Sequence, residues 1–300
     1  AFDSGAEDLD LDAFEAHVNP DHLPHAIIID CTASEFIASR YSDWLSRGIH
    51  VITPNKKAFS GPFENYRALQ AAADKGSAHF FYETTVGAAL PVITTLCDLI
   101  HTGDQVHSVQ GIFSGTLAYL FNVYDGSRPF SDIVREAREN GFTEPDPRDD
   151  LSGMDVARKL TILARELGES IEIGDFPVQS LVPEALSDCS IDEFLARLPE
   201  YDADIEAMYR DAANEGRRLR YVARFEAGGD ASVGLEAVDA EHPFSNINLT
   251  DNIVQFKSDR YSANPLVVQG PGAGPEVTAA GVFADLLRLA NYLSTGAGYV

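Results

Sequence analysis

Between Ala26 and Val86 the sequence alternates short apolar runs with amphipathic stretches, and that alternation constrains the fold more than any other feature. The first run, Ala26 to Ile29 in HAIIIDCTAS, is apolar throughout and ends in Asp30 and small polar residues, as a strand buried on both faces does. A helix is predicted over about Glu35 to Arg47, with Ile37, Tyr41, Trp44 and Leu45 on one face and Gly48 closing it. HVITPNKKAFSG supplies a second strand ending at Thr53-Pro54-Asn55-Lys56-Lys57, and a helix around Pro62 to Lys75 leads to a third strand in HFFYETTV. Strand, helix, strand, helix, strand requires parallel pairing with crossover helices, a layer of the dinucleotide-binding type. Such sheets bind ligands beyond the carboxyl ends of their strands. That puts Thr32, Ala33, Ser34 and the Asn55-Lys56 pair at the rim of a site.

The phosphate-binding pattern G-x-G-x-x-G is missing from the N-terminal half, so the chain reads as starting partway through a Rossmann-like sheet. Gly272 and Gly274 in QGPGAGPEVTAAG resemble a glycine-rich turn before a helix, although alone they mark only a plain helix start. After Gly87 the texture changes. Helices are expected in GAALPVITTLCDLIHTGD, TLAYLFNVYDG, FSDIVREARENGF, Asp155 to Gly168, Ile191 to Leu198 and Ile205 to Arg217. Strands are expected in QVHSVQGIFSG, in short pieces after Gly168, and in RRLRYVARFEA, ASVGLEAVD and NIVQFKSDRY. The fold class is α/β: a parallel sheet domain over residues 1–90 joined by a C-terminal helix from 270–300, and an α+β domain over 91–269.

A net charge of −25 argues against nucleic acid or an anionic membrane as partner. No apolar run approaches the roughly 18 residues of a membrane helix, and the acidic N-terminus lacks the order of a signal peptide. Cys31, Cys97 and Cys189 are odd in number and form no CxxC pair, so a reducing cytoplasm fits, with Cys31 and Cys97 as small core residues. The eight histidines show no ligand spacing, which argues against a transition metal.

The densest charge lies in TEPDPRDDLSGMDVARK, residues 143–159. Pro145 and Pro147 are expected to hold its first part extended, with Ser152 or Asp150 capping a helix that carries Met154, Val156, Leu160 and Leu163 inward. Asp155 and Lys159, four apart, share one face of that helix. Lys159 could snorkel or form a weak salt bridge; partly desolvated beside carboxylates it could instead donate a proton to a developing alkoxide. Lys56 reads as a surface loop lysine or as strand-end chemistry. Glu144 and Asp150 suit either the charge preference of a helix start or a substrate ammonium. Glu83, at the end of the third strand in YETTVGAAL, reads first as a hydrogen-bonded strand end, although oxygen ligation there would suit a hard cation.

TPNKKAF, YETTVGAALPVI, GIFSGTLAYLF, GFTEPDPRDDLSGMDVARKLTILARE and GPGAGPEVTAAGVFADLL, in that order, resemble the homoserine dehydrogenase family. IIIDCTAS and EGRRLRYVARF more closely resemble the dehydrogenase portion of bifunctional aspartate kinase–homoserine dehydrogenases. The resemblance implies NAD- or NADP-dependent interconversion of L-aspartate 4-semialdehyde and L-homoserine, in the aspartate-derived route to threonine and methionine. It implies Lys159 as proton donor with Asp155 positioning it, and Lys56 beside the reacting centre and the nicotinamide. Glu144 and Asp150 would hold the substrate's amino end, and Gly115 and Thr116 would line the pocket. Thr32, Ala33, Gly272 and Gly274 would contact the cofactor. A structural Na⁺ would sit on Glu83 and the carbonyls of Val86, Ala88 and Leu90. Residues 91–269 become a catalytic and dimerisation domain, with a homodimer or higher homo-oligomer and an upstream aspartate kinase as expected partners.

Two departures from the family pattern stand out. Phe142 occupies a place where the family commonly has tyrosine. Without the glycine fingerprint the chain reads as an excerpt, expected to bind NAD(P)H poorly by itself. The competing expectations are a non-catalytic dimerisation fragment and a thiol-dependent semialdehyde dehydrogenase, for which Cys31 would be the nucleophile.

Overall fold

The computed structural model describes residues 10–20 and 22–294; the remaining acidic N-terminal residues and the last six residues of the expected terminal helix region lie outside the described residues. Helix α1 (Leu11–Val18) precedes a parallel sheet of β1 (Ala26–Ile29), β2 (Ile49–Ile52) and β3 (Phe80–Phe81), in the order β1-β2-β3. The connections are α2 (Glu35–Ala38) with α3 (Tyr41–Ser46), then α4 (Lys57–Ser60) with α5 (Phe63–Gly76). Tyr41, Trp44, Leu45, Ile49, Val51 and Phe59 fill the core beneath this sheet.

Two expectations are corrected here. The single helix over 35–47 is two, because the Ser39 hydroxyl donates to the Phe36 carbonyl (2.7 Å) where the helical ladder would continue. The third strand stops after two residues. Glu83 turns away to cap the next helix, accepting from the backbone of Ile93 (2.7 Å) and Thr94 (2.9 Å), so Glu83–Thr85 is a 3₁₀ turn.

The chain then runs through α6 (Val92–His101), β4 (Val106–Ile112), α7 (Gly115–Val123), α8 (Phe130–Glu139), α9 (Pro147–Leu151) and α10 (Met154–Glu166). Helices α11 (Ile191–Arg197) and α12 (Asp202–Asn214) follow, then β5 (Arg217–Glu226), β6 (Asp230–Asp239), β7 (Asp251–Ser258), β8 (Leu266–Pro271) and α13 (Pro275–Ser294). The second sheet is antiparallel, in the order β6-β5-β4-β7-β8. The short strands expected after Gly168 are instead 3₁₀ turns at Ile173–Asp175 and Glu184–Leu186, with one bridge between Val178 and Val233. Strand β8 was hidden in the sequence by its glycines and prolines, which an edge strand tolerates. Helix α13 returns to the parallel sheet, packing Val282 and Leu289 on Ile52. No helix among the described residues is long and apolar enough to cross a membrane.

Helix α1 is fastened to this layer by one buried acid. The Glu15 carboxylate accepts from Trp44 Nε1 (2.6 Å), Arg40 Nη2 (2.8 Å) and Arg47 Nη1 (2.6 Å). Burial opposes its charge, but these donors prevail and hold its pKa at about 2, below the ordinary 4.5. A depressed folded-state pKa contributes stability above the unfolded value and loses it as pH falls. The stability conferred by Glu15 should therefore fade between pH 4.5 and about 2. Glu15→Gln should flatten that part of an acid-unfolding curve; an unchanged acid limb would contradict the assignment.

Candidate active site

The wall of the site is built by the segment after Phe142. Asp146 caps α9 by accepting from the Arg148 amide (3.0 Å), and Pro147 occupies the first helical position, where its missing N–H costs nothing. The expected extended stretch with one helix capped by Ser152 or Asp150 is thus corrected: Asp150 lies inside α9. Ser152 accepts from Met154 N (3.3 Å) at the joint between α9 and α10. Gly153 makes that joint at φ +72°, and a Cβ there would fall 1.9 Å from the Tyr221 hydroxyl. Its glycine is required both by backbone conformation and by space.

The joint aims α10 so that Asp155 stands between two lysines. Lys159 Nζ lies 2.8 Å from Asp155 Oδ2, and Lys56 Nζ lies 3.3 Å from Asp155 Oδ1. Lys159 is 8% exposed and also donates to the Phe113 carbonyl (2.7 Å). The exposed part of Asp155 opens into the cleft rather than outward. Desolvation opposes its charge, yet Lys159 and then Lys56 outweigh it and hold the carboxyl well below the usual carboxylate range. Burial lowers the Lys56 pKa, with Asp155 opposing and Lys159 adding to the fall.

Lys56 is placed by a polar network across the ends of β1 and β2. Thr53 Oγ1 donates to the Asp30 carbonyl (2.8 Å), and Asn55 Nδ2 donates to Asp30 Oδ2 (3.1 Å) and to the Ser34 carbonyl (3.0 Å). The Tyr41 hydroxyl donates to the same Asp30 carboxylate from below. These buried groups are mutually satisfied, so the strand ends are stiff.

On the opposite wall Gly115 begins α7 and Thr116 follows; the Thr116 hydroxyl lies 2.6 Å from the Phe142 carbonyl and 2.8 Å from Asp150 Oδ1. Asp150 Oδ2 accepts from the Glu144 amide (2.8 Å). Burial raises the Asp150 pKa, opposed by these hydrogen bonds and reinforced by Glu144 and Asp155. Glu144 is exposed on the cleft. The Phe142 ring packs against Tyr119, 4.6 Å between centroids.

Together these walls enclose a cleft of about 1020 Å³. It brings together Lys56, Asp155, Lys159, Glu144, Asp150, Gly115, Thr116, Ala33, Gly272 and Gly274, with Ala88 at its edge. Arg158 and Thr250 also line it and were not singled out in the sequence; Arg158 was visible there only as one cation of a crowded segment. Thr32 is exposed at the end of β1, where its hydroxyl accepts from the Ser34 amide (3.1 Å), and it does not line the cleft. The carboxyl ends of β1 and β2 and the N-terminus of α13 converge on the rim, a setting whose backbone amides and open glycine turn fit a phosphate-bearing cofactor.

Glu83, Val86 and Leu90 lie behind that rim, outside the cleft. Both Glu83 oxygens accept from the start of α6, and the Leu90 carbonyl accepts from the Val92 amide (2.8 Å), so these groups are satisfied without an ion. Cys31 is exposed rather than in the core, on an apolar groove beside Ile29 and Phe283, which is not the electropositive setting of a reactive thiol. Cys97 is only partly buried, with its thiol 3.4 Å from Glu166.

Gly153→Ala tests this construction. The αL penalty and the overlap with Tyr221 should together cost about 2–4 kcal/mol, read as a lower unfolding midpoint, with α10 displaced and turnover reduced. Wild-type stability and turnover would show that the joint does not set the site.

Two family profiles cover the chain: "Homoserine dehydrogenase, NAD binding domain" over residues 2–83 and "Homoserine dehydrogenase" over residues 91–287. A maize chloroplastic bifunctional aspartokinase/homoserine dehydrogenase is 52% identical over 291 residues, covering 96% of this chain but 32% of that protein. The chain thus spans about a third of the length of such plant relatives. The homoserine dehydrogenase of Schizosaccharomyces pombe is 48% identical, over 93% of this chain and 76% of its own. The crystal structure of a Candida auris protein of unknown function superposes with a TM-score of 0.90 at 41% identity, covering 94% of this chain and 81% of that one. With both halves matched and the lysine–carboxylate cleft lying between them, the chain belongs to the homoserine dehydrogenase family.

Proposed function

We propose that this chain carries a homoserine dehydrogenase centre, interconverting L-aspartate 4-semialdehyde and L-homoserine with NAD(P)H. The observation that carries the reading is Lys159: an ammonium almost withdrawn from water, fixed by Asp155 and the Phe113 carbonyl, and facing the cleft. The relatives' names and the NAD-binding profile supply the reaction class. A purely structural fragment is the poorer account, because drawing two lysines together around one partly buried carboxylate carries a desolvation cost that hydrophobic packing would avoid.

Ala33 and the Gly272–Gly274 turn, with Thr32 exposed just outside the cleft, would hold the nicotinamide cofactor, which would supply the hydride. In the reducing direction Lys159 gives its proton to the aldehyde oxygen as the carbonyl carbon is reduced, and in the oxidising direction that lysine takes the hydroxyl proton back. Asp155 keeps Lys159 oriented. Lys56 stands on the other side of Asp155 and offers positive charge where the oxyanion develops. Gly115 keeps the floor low, and Thr116 fixes Asp150. Glu144 and Asp150 would meet the substrate ammonium; each Asp150 oxygen accepts one hydrogen bond and keeps a further lone pair, and Asp150 also holds the backbone of Glu144 in place.

The proposal divides the chain functionally into a cofactor part, residues 1–90 with residues 270–300, which carry α13, and a catalytic and dimerisation part, residues 91–269. It includes a homodimer or higher homo-oligomer, and an aspartokinase fused upstream; the fusion alone is what the maize relative's name records for that protein. The unpaired cysteines suit a reducing compartment such as the cytoplasm. A sodium ion on Glu83 with the carbonyls of Val86, Ala88 and Leu90 would share or displace existing capping bonds, and no catalytic step runs through it. A rise in unfolding midpoint in Na⁺ over K⁺ at equal ionic strength, lost in Glu83→Gln, is the result expected for such an ion; identical midpoints would remove it.

Lys159→Ala in the full-length protein should lower kcat by roughly 10²–10⁴-fold, with the circular dichroism of the fold intact. Undiminished turnover would refute Lys159 as the proton donor.

A further inference from the structure

Asn252 lies beneath the site, on β7, and the proposed mechanism does not use it. It is fully buried, and its Nδ2 donates to the Phe113 carbonyl (3.1 Å), the same oxygen that accepts from Lys159 Nζ (2.7 Å). The carbonyl is acceptor-only, which fixes the orientation of the amide. Its Oδ1 has no partner among the described residues. On its other side the amide presses on the glycine turn: a Cβ on Gly272 would lie 2.1 Å from Asn252 Nδ2 and 2.7 Å from its Cβ. Register explains the closeness, because Asn252 pairs with Gly270 across β7 and β8, and Gly272 is the first residue beyond β8.

We propose that Asn252 is a positioning residue that couples the proton donor to the cofactor rim. By holding the Phe113 carbonyl it sets the direction in which Lys159 points, and by packing under Gly272 it sets the height of the glycine turn. Movement of the turn is therefore felt at Lys159 through a single side chain. An aliphatic residue of similar volume would keep the packing and lose the donor, and a smaller one would lose both. The proposal rests on the functional reading above, since it assigns Lys159 and the turn their roles.

The test uses the full-length protein, wild type and four variants: Asn252→Leu, Asn252→Ala, Gly272→Ala and the double variant Asn252→Ala/Gly272→Ala. Asn252→Leu should lower kcat about tenfold or more, leave the KM for L-homoserine unchanged and leave the unfolding midpoint near wild type. Gly272→Ala should weaken NADPH binding, read by fluorescence titration without turnover. Combining it with Asn252→Ala should recover at least half of that loss, the non-additivity expected of two groups in contact, while kcat stays low because the donor to Phe113 is still missing. Wild-type kcat in Asn252→Leu overturns the coupling, as does strict additivity in the NADPH titration. A fall in kcat, both KM effects and midpoint together would make Asn252 a structural residue and overturn it equally. A wild-type protein inactive with L-homoserine and either nicotinamide cofactor would refute the functional reading instead, and the NADPH titration would still decide the contact between Asn252 and the turn.

Discussion

Everything in the cleft is arranged around the Asp155 carboxylate, which stands between Lys159 on its own helix and Lys56 from the end of a strand in the other half of the chain. Two ammoniums close together repel, and burial disfavours each. The anion between them offsets that repulsion, and Lys159 and then Lys56 outweigh the desolvation of the Asp155 carboxylate. Sheet and helix are thereby fixed relative to each other by the same charges that the proposed reaction would use. The stiff network of Asp30, Thr53 and Asn55 on one side and the Gly153 joint on the other hold the two cations at that separation.

The rim depends on a different kind of contact. Helix α13 packs Val282 and Leu289 against β2, and the turn before it settles onto Asn252 with no room for a side chain at Gly272. The α13 side of the cleft is thus formed by backbone, as would suit a ligand rich in phosphate oxygens, whereas the α9–α10 side is formed by charged side chains. The division follows from the residues available: glycine and proline at 270–275, acids and bases at 143–159.

Much of this was legible in the sequence. The parallel layer could be read because β1 is apolar throughout, although Ile29 at its end is exposed, and β2 is buried along its length with only His50 breaking its apolar run; the Asp155–Lys159 pair could be read because helical spacing fixes it. What escaped depended on partners distant along the chain. The third strand is cut short by Glu83 bonding ten residues on, and α9 is separate from α10 because Gly153 turns the backbone at φ +72° between them, where Tyr221 of β5 leaves no space for a side chain. Lys56 could be placed at a strand end, but its contact with Asp155 spans about a hundred residues and has no local signature. Cys31 was misplaced because a strand-end residue inherits its apolar neighbours' pattern without their burial.

The charge of the chain raises a final question of balance. At −25 the molecule as a whole repels anions, including the phosphates of a nicotinamide cofactor. Within the cleft, however, charge is sorted by position: Glu144, Asp149 and Asp150 come first, and Arg158 and Lys159 come a helix turn or more later, joined by Lys56. A neutral zwitterion is not repelled by the global field and can align its ammonium with the first group and its oxygens with the second. An anionic cofactor cannot rely on that field, and the screening length of about 8–10 Å at physiological salt limits its influence to the nearest groups. On the proposed reading, binding at the rim would therefore depend on short-range backbone donors at the start of α13. On that reading the substrate would be recognised by charge and the cofactor by shape.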